Sequence, residues 1–132
     1  MSDIIVKANQ EEDLTTFLQL NNFEIEDLGE GVYLATREDE LPVFLKADSG
    51  TLFFEVDLGN IDDLGATDKL FDILDLNTEV LPVSFGINNS NPGDTHLVLL
   101  ESRQTANLND NELLGVFDAL ELAVDRAEDL LG

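Results

Sequence analysis

The chain has 132 residues, of which 29 are Asp or Glu and only six are Lys or Arg, so its formal net charge is −23. Such a charge repels nucleic acid and anionic membranes, and the absence of Cys excludes disulfides, thiolate catalysis and Cys-ligated zinc. Hydrophobic residues make up 43% of the chain, which is enough for one ordered core and indicates a single folded domain rather than acidic disorder.

The first predicted element is a short helix over about residues 9–21. The segment Asn9–Glu12 has the spacing of a capping box, and Leu14 and Phe17 follow at helical intervals. From residue 23 to 28 the alternation of apolar and polar residues is weak. We therefore interpret that stretch as an extended lead-in, which ends in a turn at Gly29.

Three strands are predicted next, over residues 32–37, 41–47 and 51–58. The residues Asp-Ser-Gly at 48–50 form a tight turn, which makes a hairpin of the second and third strands. In the third strand Leu52, Phe54 and Val56 share one face. Phe53 breaks that alternation, and we expect it to be partly exposed or covered by a neighbouring element.

A second helix is predicted over about residues 67–77, with a buried stripe of Leu70, Phe71 and Leu74. Two further strands follow at residues 81–87 and 95–102. The last of these strands is apolar on both faces at Leu97–Leu100, which suggests that it lies in the interior of the sheet.

The clearest predicted element is a final helix, which begins after a second capping-box spacing at Asn109–Glu112. Its apolar seam recurs at steps of four and three, and consists of Leu113, Phe117, Leu120, Val124, Ala127 and Leu131. The element order α-β-β-β-α-β-β-α predicts an α+β fold, in which helices pack on a five-stranded antiparallel sheet.

Few residues could carry chemistry. His96 is the one side chain that titrates near neutrality without help, but the sequence places no nucleophile for it to activate, and we interpret it as structural. The many acid pairs lack the alternating oxygen ligands and central Gly of a calcium loop. The sequence therefore predicts no enzyme activity, no cofactor and no metal site.

The candidates that remain are apolar. The final helix carries more hydrophobic surface than one sheet face requires, and Phe44 and Phe53 add to it in the hairpin. Two interpretations stay open: the sheet and first helix cover this surface, or part of it is exposed and binds a second copy or a partner. The predicted partner-binding residues are Phe53, Leu113, Phe117, Leu120 and Val124.

Two families share motifs with this chain. The stretches Gly31–Thr36, Leu41–Leu45 and Thr51–Gly59 resemble the three-strand signature of type III secretion chaperones. This resemblance implies an α+β fold, usually a homodimer, that holds an extended segment of a partner on apolar grooves. The motifs Leu41–Phe44 and Leu81–Ile87, with the acidic final helix, resemble the YjfI-like family of uncharacterised bacterial proteins. Members of that family are often encoded near a protein similar to phage-shock protein A, a coiled-coil membrane-stress effector.

We therefore predict a non-enzymatic, chaperone-like adaptor that binds a basic or amphipathic segment of another protein through apolar surface with an acidic rim. The alternatives are a regulatory partner of a phage-shock-like membrane-stress protein and, more weakly, a small-ligand or metal-binding module. A saline habitat would also explain the acidity without any partner. The N-terminal residues lack the basic region of a signal peptide and no apolar run could span a bilayer, so we expect a cytoplasmic protein.

Overall fold

The computed structural model describes residues 11–38, 40–106 and 108–132, with the backbone alone for residues 11–13. The helices are α1 (Glu11–Leu20), α2 (Leu70–Leu76, preceded by a 3-10 turn at Thr67–Lys69) and α3 (Asp110–Leu131). The strands are β1 (Glu24–Gly29), β2 (Val32–Thr36), β3 (Val43–Asp48), β4 (Thr51–Asn60), β5 (Ser84–Asn88) and β6 (His96–Gln104). The predicted capping box at Asn9–Glu12 lies outside the described side chains.

The six strands form one sheet in the order β1-β2-β3-β4-β6-β5, and every neighbouring pair is antiparallel. The predicted α+β fold with helices and an antiparallel sheet is therefore confirmed. The predicted number of five strands is wrong, because the sheet has six. Strand β6 lies between β4 and β5, in agreement with the interior position expected from its apolar residues.

The additional strand is β1, at one edge of the sheet. Only Ile25 is even half-buried in this strand, so its side chains show no clear alternation. Backbone pairing to β2 defines the strand instead, with Glu24 opposite Thr36 and Asp27 opposite Tyr33. An edge strand can form through such pairing without apolar side chains, and for this reason the sequence pattern missed it.

The second helix is shorter than predicted, and two of the three residues of its predicted buried stripe are wrong, since only Leu70 packs against the core. The structure buries Ile73, whereas Leu74 is exposed and Phe71 is 83% exposed. Strand β5 also begins at Ser84, three residues later than expected. A helix of two turns beside an edge strand presents few side chains to the core, so Ile73 alone is fully buried, Leu70 and Leu76 are partly buried, and Phe71 and Leu74 stay on the surface.

All three helices pack on one face of the sheet, which we call the inner face. A single core joins helical side chains such as Leu14, Ile73 and Leu113 to inner-face residues such as Leu45 and Leu99. Helix α3 begins as predicted, because the Asn109 side chain accepts a hydrogen bond of 2.9 Å from the Glu112 amide. The helix thus starts at a defined residue and lies with its seam against the strands.

The opposite face of the sheet, the outer face, has no helix over it in the described part of the chain. The strand register aligns one row of residues across all six strands on this face: Glu26, Leu34, Phe44, Glu55, Leu100 and Ser84. A second row joins Val32, Lys46, Phe53 and Ser102. None of these residues belongs to the core. The described residues therefore form a two-layer structure, in which helices cover one face of the sheet and not the other.

Candidate protein-binding surfaces

A groove of about 260 Å³ lies between α3 and the chain that leads into β3, and we call it the α3 groove. Its apolar lining consists of Leu41, Val43, Val56, Phe117, Leu120 and Val124. Its rim carries four carboxylates, from Glu40, Glu121, Asp125 and Glu128. The groove therefore combines an apolar floor with an acidic edge.

The helical repeat of α3 produces both parts of this groove. Phe117, Leu120 and Val124 follow each other at three and four residues and face the sheet. Glu121 directly follows Leu120, and Asp125 directly follows Val124. A step of one residue rotates the side chain about the helix axis, so both acids lie toward solvent at the rim. One amphipathic helix thus supplies three apolar side chains and three acids in adjacent rows.

The rim already holds one cation, the guanidinium of Arg37. Its Nη2 atom lies 3.2 Å from Glu40 Oε1 and 3.7 Å from Glu121 Oε2, and the group stacks over the ring of Phe23 at 4.7 Å. Repulsion from Glu40, together with partial burial, raises the pKa of Glu121 despite the attraction of Arg37. The rim is therefore under-neutralised, and an additional cation there would lower its electrostatic energy.

The outer face is a second apolar surface. Phe44, Phe53 and Leu100 are 38%, 46% and 39% exposed, although all three lie in the middle strands of the sheet. Shallow grooves of about 370 Å³ and 270 Å³ flank Phe53 and Glu55 on this face. Leu100 leans over Gly86, where an added Cβ atom would lie 3.1 Å from the Leu100 Cδ1 atom.

A third apolar surface lies at the other edge of the sheet, and we call it the α2–β5 surface. Phe71, Leu74, Leu81 and Ile87 are exposed there. A narrow groove of about 100 Å³ runs between the helix and the strand and is lined almost entirely by apolar side chains. The exposure of these residues follows from the short α2, which covers little of the edge strand.

His96 lies at the end of the outer face and contacts two carboxylates. Its Nδ1 atom is 2.8 Å from Asp57 Oδ1, and its Nε2 atom is 3.0 Å from Asp94 Oδ1. The hydrogen bond with Asp57, and then that with Asp94, raises the pKa of the imidazole above its ordinary value. Within the part of the chain that the structure describes, no group of three His, Asp or Glu side chains is arranged to hold a metal ion.

The five predicted partner-binding residues do not form one exposed seam. Leu113 lies in the core, and Phe117 and Leu120 are buried at the floor of the α3 groove. The side chains of these three residues fill the space between helix and sheet, so they are not free surface, and their part in partner binding stays a prediction. Val124 is half-buried in the groove wall, and Phe53 is exposed on the outer face.

Sequence reasoning missed the groove acids and the exposure of Leu100. The acids were visible as a second helical row, at Glu121, Asp125 and Glu128. The position of Leu100 was signalled by the run of apolar residues on both faces of its strand. Neither sequence pattern shows which residues from distant segments lie beside these side chains. Those neighbours determine the shape and charge of the surface.

No described helix is both long and apolar enough to cross a membrane.

Comparison with known proteins places this fold. A model of the CesT_Tir_1 family matches residues 7–131, whereas no curated protein sequence matches the chain. YbjN from E. coli has a TM-score of 0.73 at 11% identity, over 94% of this chain and 95% of that chain. The heterodimeric complex ExoU–SpcU from the type III secretion system of Pseudomonas aeruginosa gives 0.68 at 16% identity, over 85% and 92%.

The Yersinia pestis type III secretion chaperone SycH, solved in complex with a stable fragment of YscM2, gives a TM-score of 0.60 at 23% identity, over 89% of this chain and 95% of that chain. At these identities the likeness concerns the fold. The predicted resemblance to type III secretion chaperones is therefore confirmed at that level, and the resemblance to the YjfI-like family stays a prediction.

Proposed function

The chain belongs to the CesT_Tir_1 family, and on that premise we propose that it is a chaperone-like adaptor of a bacterial cytosol that binds a segment of another protein. The fold resembles that of type III secretion chaperones, which bind partner proteins and are generally not enzymes. Two of the similar structures are complexes of two proteins. These likenesses support protein binding and leave the identity of the partner open.

The α3 groove is the observation that carries this proposal to a particular surface. Leu41 and Val124 are the accessible apolar side chains at its mouth, and Asp125 and Glu128 form no ion pair with any described residue. A basic amphipathic segment would place an apolar side chain against Leu41 and Val124, and a Lys or Arg side chain against Asp125 and Glu128. Arg37 shows the chemistry within the chain itself, because its guanidinium lies between two rim carboxylates.

The size of the groove favours a protein segment over a small ligand. Small-molecule sites enclose roughly 300–1,000 Å³ and bury most of their ligand. The α3 groove encloses about 260 Å³ and has four carboxylates around it. One or two side chains of a partner fit such a space better than a whole cofactor, so the small-ligand alternative has little support.

Site-specific cross-linking tests the proposal directly, because the chain has no Cys of its own. A benzophenone maleimide attached to Val124→Cys should cross-link a partner in lysate of cells that express the protein. The same label on Leu122→Cys is the control, since Leu122 is 49% exposed on the same helix but does not line the groove. Equal cross-linking from both positions would argue against the groove.

Matched charge reversals test the role of the rim. Asp125→Lys with Glu128→Lys should weaken binding of the cross-linked partner by about tenfold, because attraction at the rim becomes repulsion. The control pair, Asp118→Lys with Asp129→Lys, changes the net charge equally on the same helix without touching the groove. If both pairs weaken binding equally, general charge steers the partner and the groove does not recognise it.

A homodimer is a second proposal, and the α2–β5 surface supports it. Phe71 and Leu74 are exposed next to Ile87 on the adjacent strand, and together they form an apolar edge. We expect light scattering to give the mass of a dimer, and Phe71→Glu with Leu74→Glu to give that of a monomer. The alternative partner for the α3 groove is a phage-shock-like membrane-stress protein. Only the resemblance to the YjfI-like family supports that alternative.

A further inference from the structure

Glu55 occupies the centre of the outer face among apolar side chains. The strand register places it directly between Phe44 on β3 and Leu100 on β6, and Phe53 precedes it by two residues on the same face. Residues opposite each other in antiparallel strands have Cβ atoms about 5 Å apart. The carboxylate therefore stands within an apolar patch rather than at its margin.

No residue in the described part of the chain supplies a counter-ion for this carboxylate. Among the described residues none donates a hydrogen bond to Glu55 or forms an ion pair with it; Lys46 shares the face, but in the register it lies opposite Phe53. Burial among its neighbours raises the pKa of Glu55, and repulsion from Asp57 raises it further. An ionised group in this position costs the free protein stability, so folding alone does not explain its presence.

Solubility does not explain the residue well either. The chain already carries a net charge of −23, so one more acid inside an apolar patch adds little to its repulsion. The charge also argues against a second copy as the occupant of this face. A two-fold interface would bring Glu55 and Asp57 of one copy toward the same acids of the other.

We propose that the outer face docks an extended segment of a partner protein, with one Lys or Arg side chain held against Glu55 and apolar side chains against Phe44, Phe53 and Leu100. The three strands that carry these residues span about 10 Å across the face. An extended segment presents residues i, i+2 and i+4 on one side over about 13 Å, which is long enough to cover that span. The proposal rests on the proposed function for the nature of its occupant, but it concerns the opposite face of the sheet from the α3 groove.

Synthetic peptides are the probes for this surface. We would use ten-residue peptides with alternating Val and Thr that differ only at one central position, which is Lys, norleucine or Glu. Norleucine keeps the aliphatic stem of Lys and removes its charge. We expect the Lys peptide to bind about fivefold more tightly than the norleucine peptide, and the Glu peptide to bind most weakly. Amide shifts in an NMR titration should concentrate in β3, β4 and β6.

Glu55→Gln should abolish the preference for Lys over norleucine while it leaves the binding of norleucine nearly unchanged. Glu26→Gln is the matched control, because Glu26 lies in the same cross-strand row at the edge of the sheet and should keep the preference. Since Glu55→Gln removes an unpaired carboxylate, we expect it to fold at least as well as the native chain. The comparison therefore does not depend on a damaged variant.

Several results would overturn the proposal. One is a preference for Lys that survives in Glu55→Gln; another is the absence of any peptide binding at millimolar concentration. If Glu55→Gln made the protein self-associate, the acid would instead serve to keep copies apart. If only Asp125→Lys with Glu128→Lys abolished peptide binding, the peptides would occupy the α3 groove. That last outcome would leave the proposed function intact, but it would show that the outer face does not bind the partner segment.

Discussion

Strand β4 places adjacent phenylalanines on the two faces of the sheet. Phe54 points to the inner face, is 1% exposed and meets the edge of the Phe117 ring at 5.8 Å. Phe53 points to the outer face and is 46% exposed. Identical side chains one residue apart thus belong to different parts of the molecule. The inner face forms the core, whereas Phe53 and its apolar neighbours on the outer face stay partly exposed to water.

Phe53 and Phe54 differ in exposure because of what packs over each face of the sheet, and not because of the hydrophobicity of the residues near them in the sequence. Three helices cover the inner face, and no described helix covers the outer one. An apolar residue on an uncovered sheet face gains less from folding than a core residue, because part of it stays in contact with water. Outer-face residues are therefore free to serve binding, and the predictions below test that separation.

The largest effect is expected from truncation of the two phenylalanines. Phe54→Ala should lower the free energy of unfolding by about 3–5 kcal/mol, since it removes a ring from a closed core. Phe53→Ala should lower it by less than about 1 kcal/mol, because the ring is half in water already. Urea denaturation of both variants at one pH and salt concentration measures the contrast. Comparable losses would mean that the outer face is structural.

Added salt should separate core packing from surface repulsion. With 29 acids against six bases, the native surface repels itself until ions screen it, so the melting temperature should rise between low and physiological salt. The loss caused by Phe54→Ala should stay the same at both salt concentrations, because packing is not screened. A melting temperature that does not change with salt would show that the surface acids do not measurably destabilise the protein. It would also contradict the argument that an additional cation lowers the electrostatic energy of the acidic rim.

Neutralising Glu55 should stabilise the protein slightly. The folded pKa of Glu55 is raised, so its ionised form is disfavoured in the folded state at neutral pH and this penalty disappears as the pH falls below the ordinary value of 4.5. Glu55→Gln should therefore gain stability at pH 7, by under about 1 kcal/mol for a partly exposed group, and gain nothing at pH 4. Denaturation curves at the two pH values measure the difference. A loss at pH 7 would show that Glu55 supports the fold.

The smallest effect is expected at His96, which has the opposite pH dependence. Only a doubly protonated ring can donate to both Asp57 and Asp94, and the folded pKa is raised. The stability that His96 contributes is thus fully present below about pH 6.5 and is lost as the pH rises through the folded pKa. His96→Gln should differ from the native chain at pH 6 and match it well above the folded pKa. NMR titration of the ring protons gives that pKa, and a value below 6.5 would refute the arrangement.

Much of the candidate binding surface could not be found from the sequence, because it depends on which distant segments of the chain lie side by side. The helical repeat placed Phe117 and Leu120 on one apolar face of α3, but it could not say whether sheet or solvent lies opposite them. The α3 groove joins Glu40 to Glu128, which are far apart in the chain. In the same way, Phe44 and Leu100 become neighbours of Glu55 only through the pairing of three strands.

The sequence by itself determined the local elements and the class of the fold. The two-residue alternation of β4, the helical repeat of α3 and the Asn109 cap depend on residues near each other in the chain, and they predicted the α+β arrangement. Only the tertiary structure decided that β1 joins the sheet, that Ile73 rather than Phe71 is buried, and that no described helix covers the outer face. Those outcomes depend on which segments pack together, because burial is a property of the assembled layers and not of any one segment.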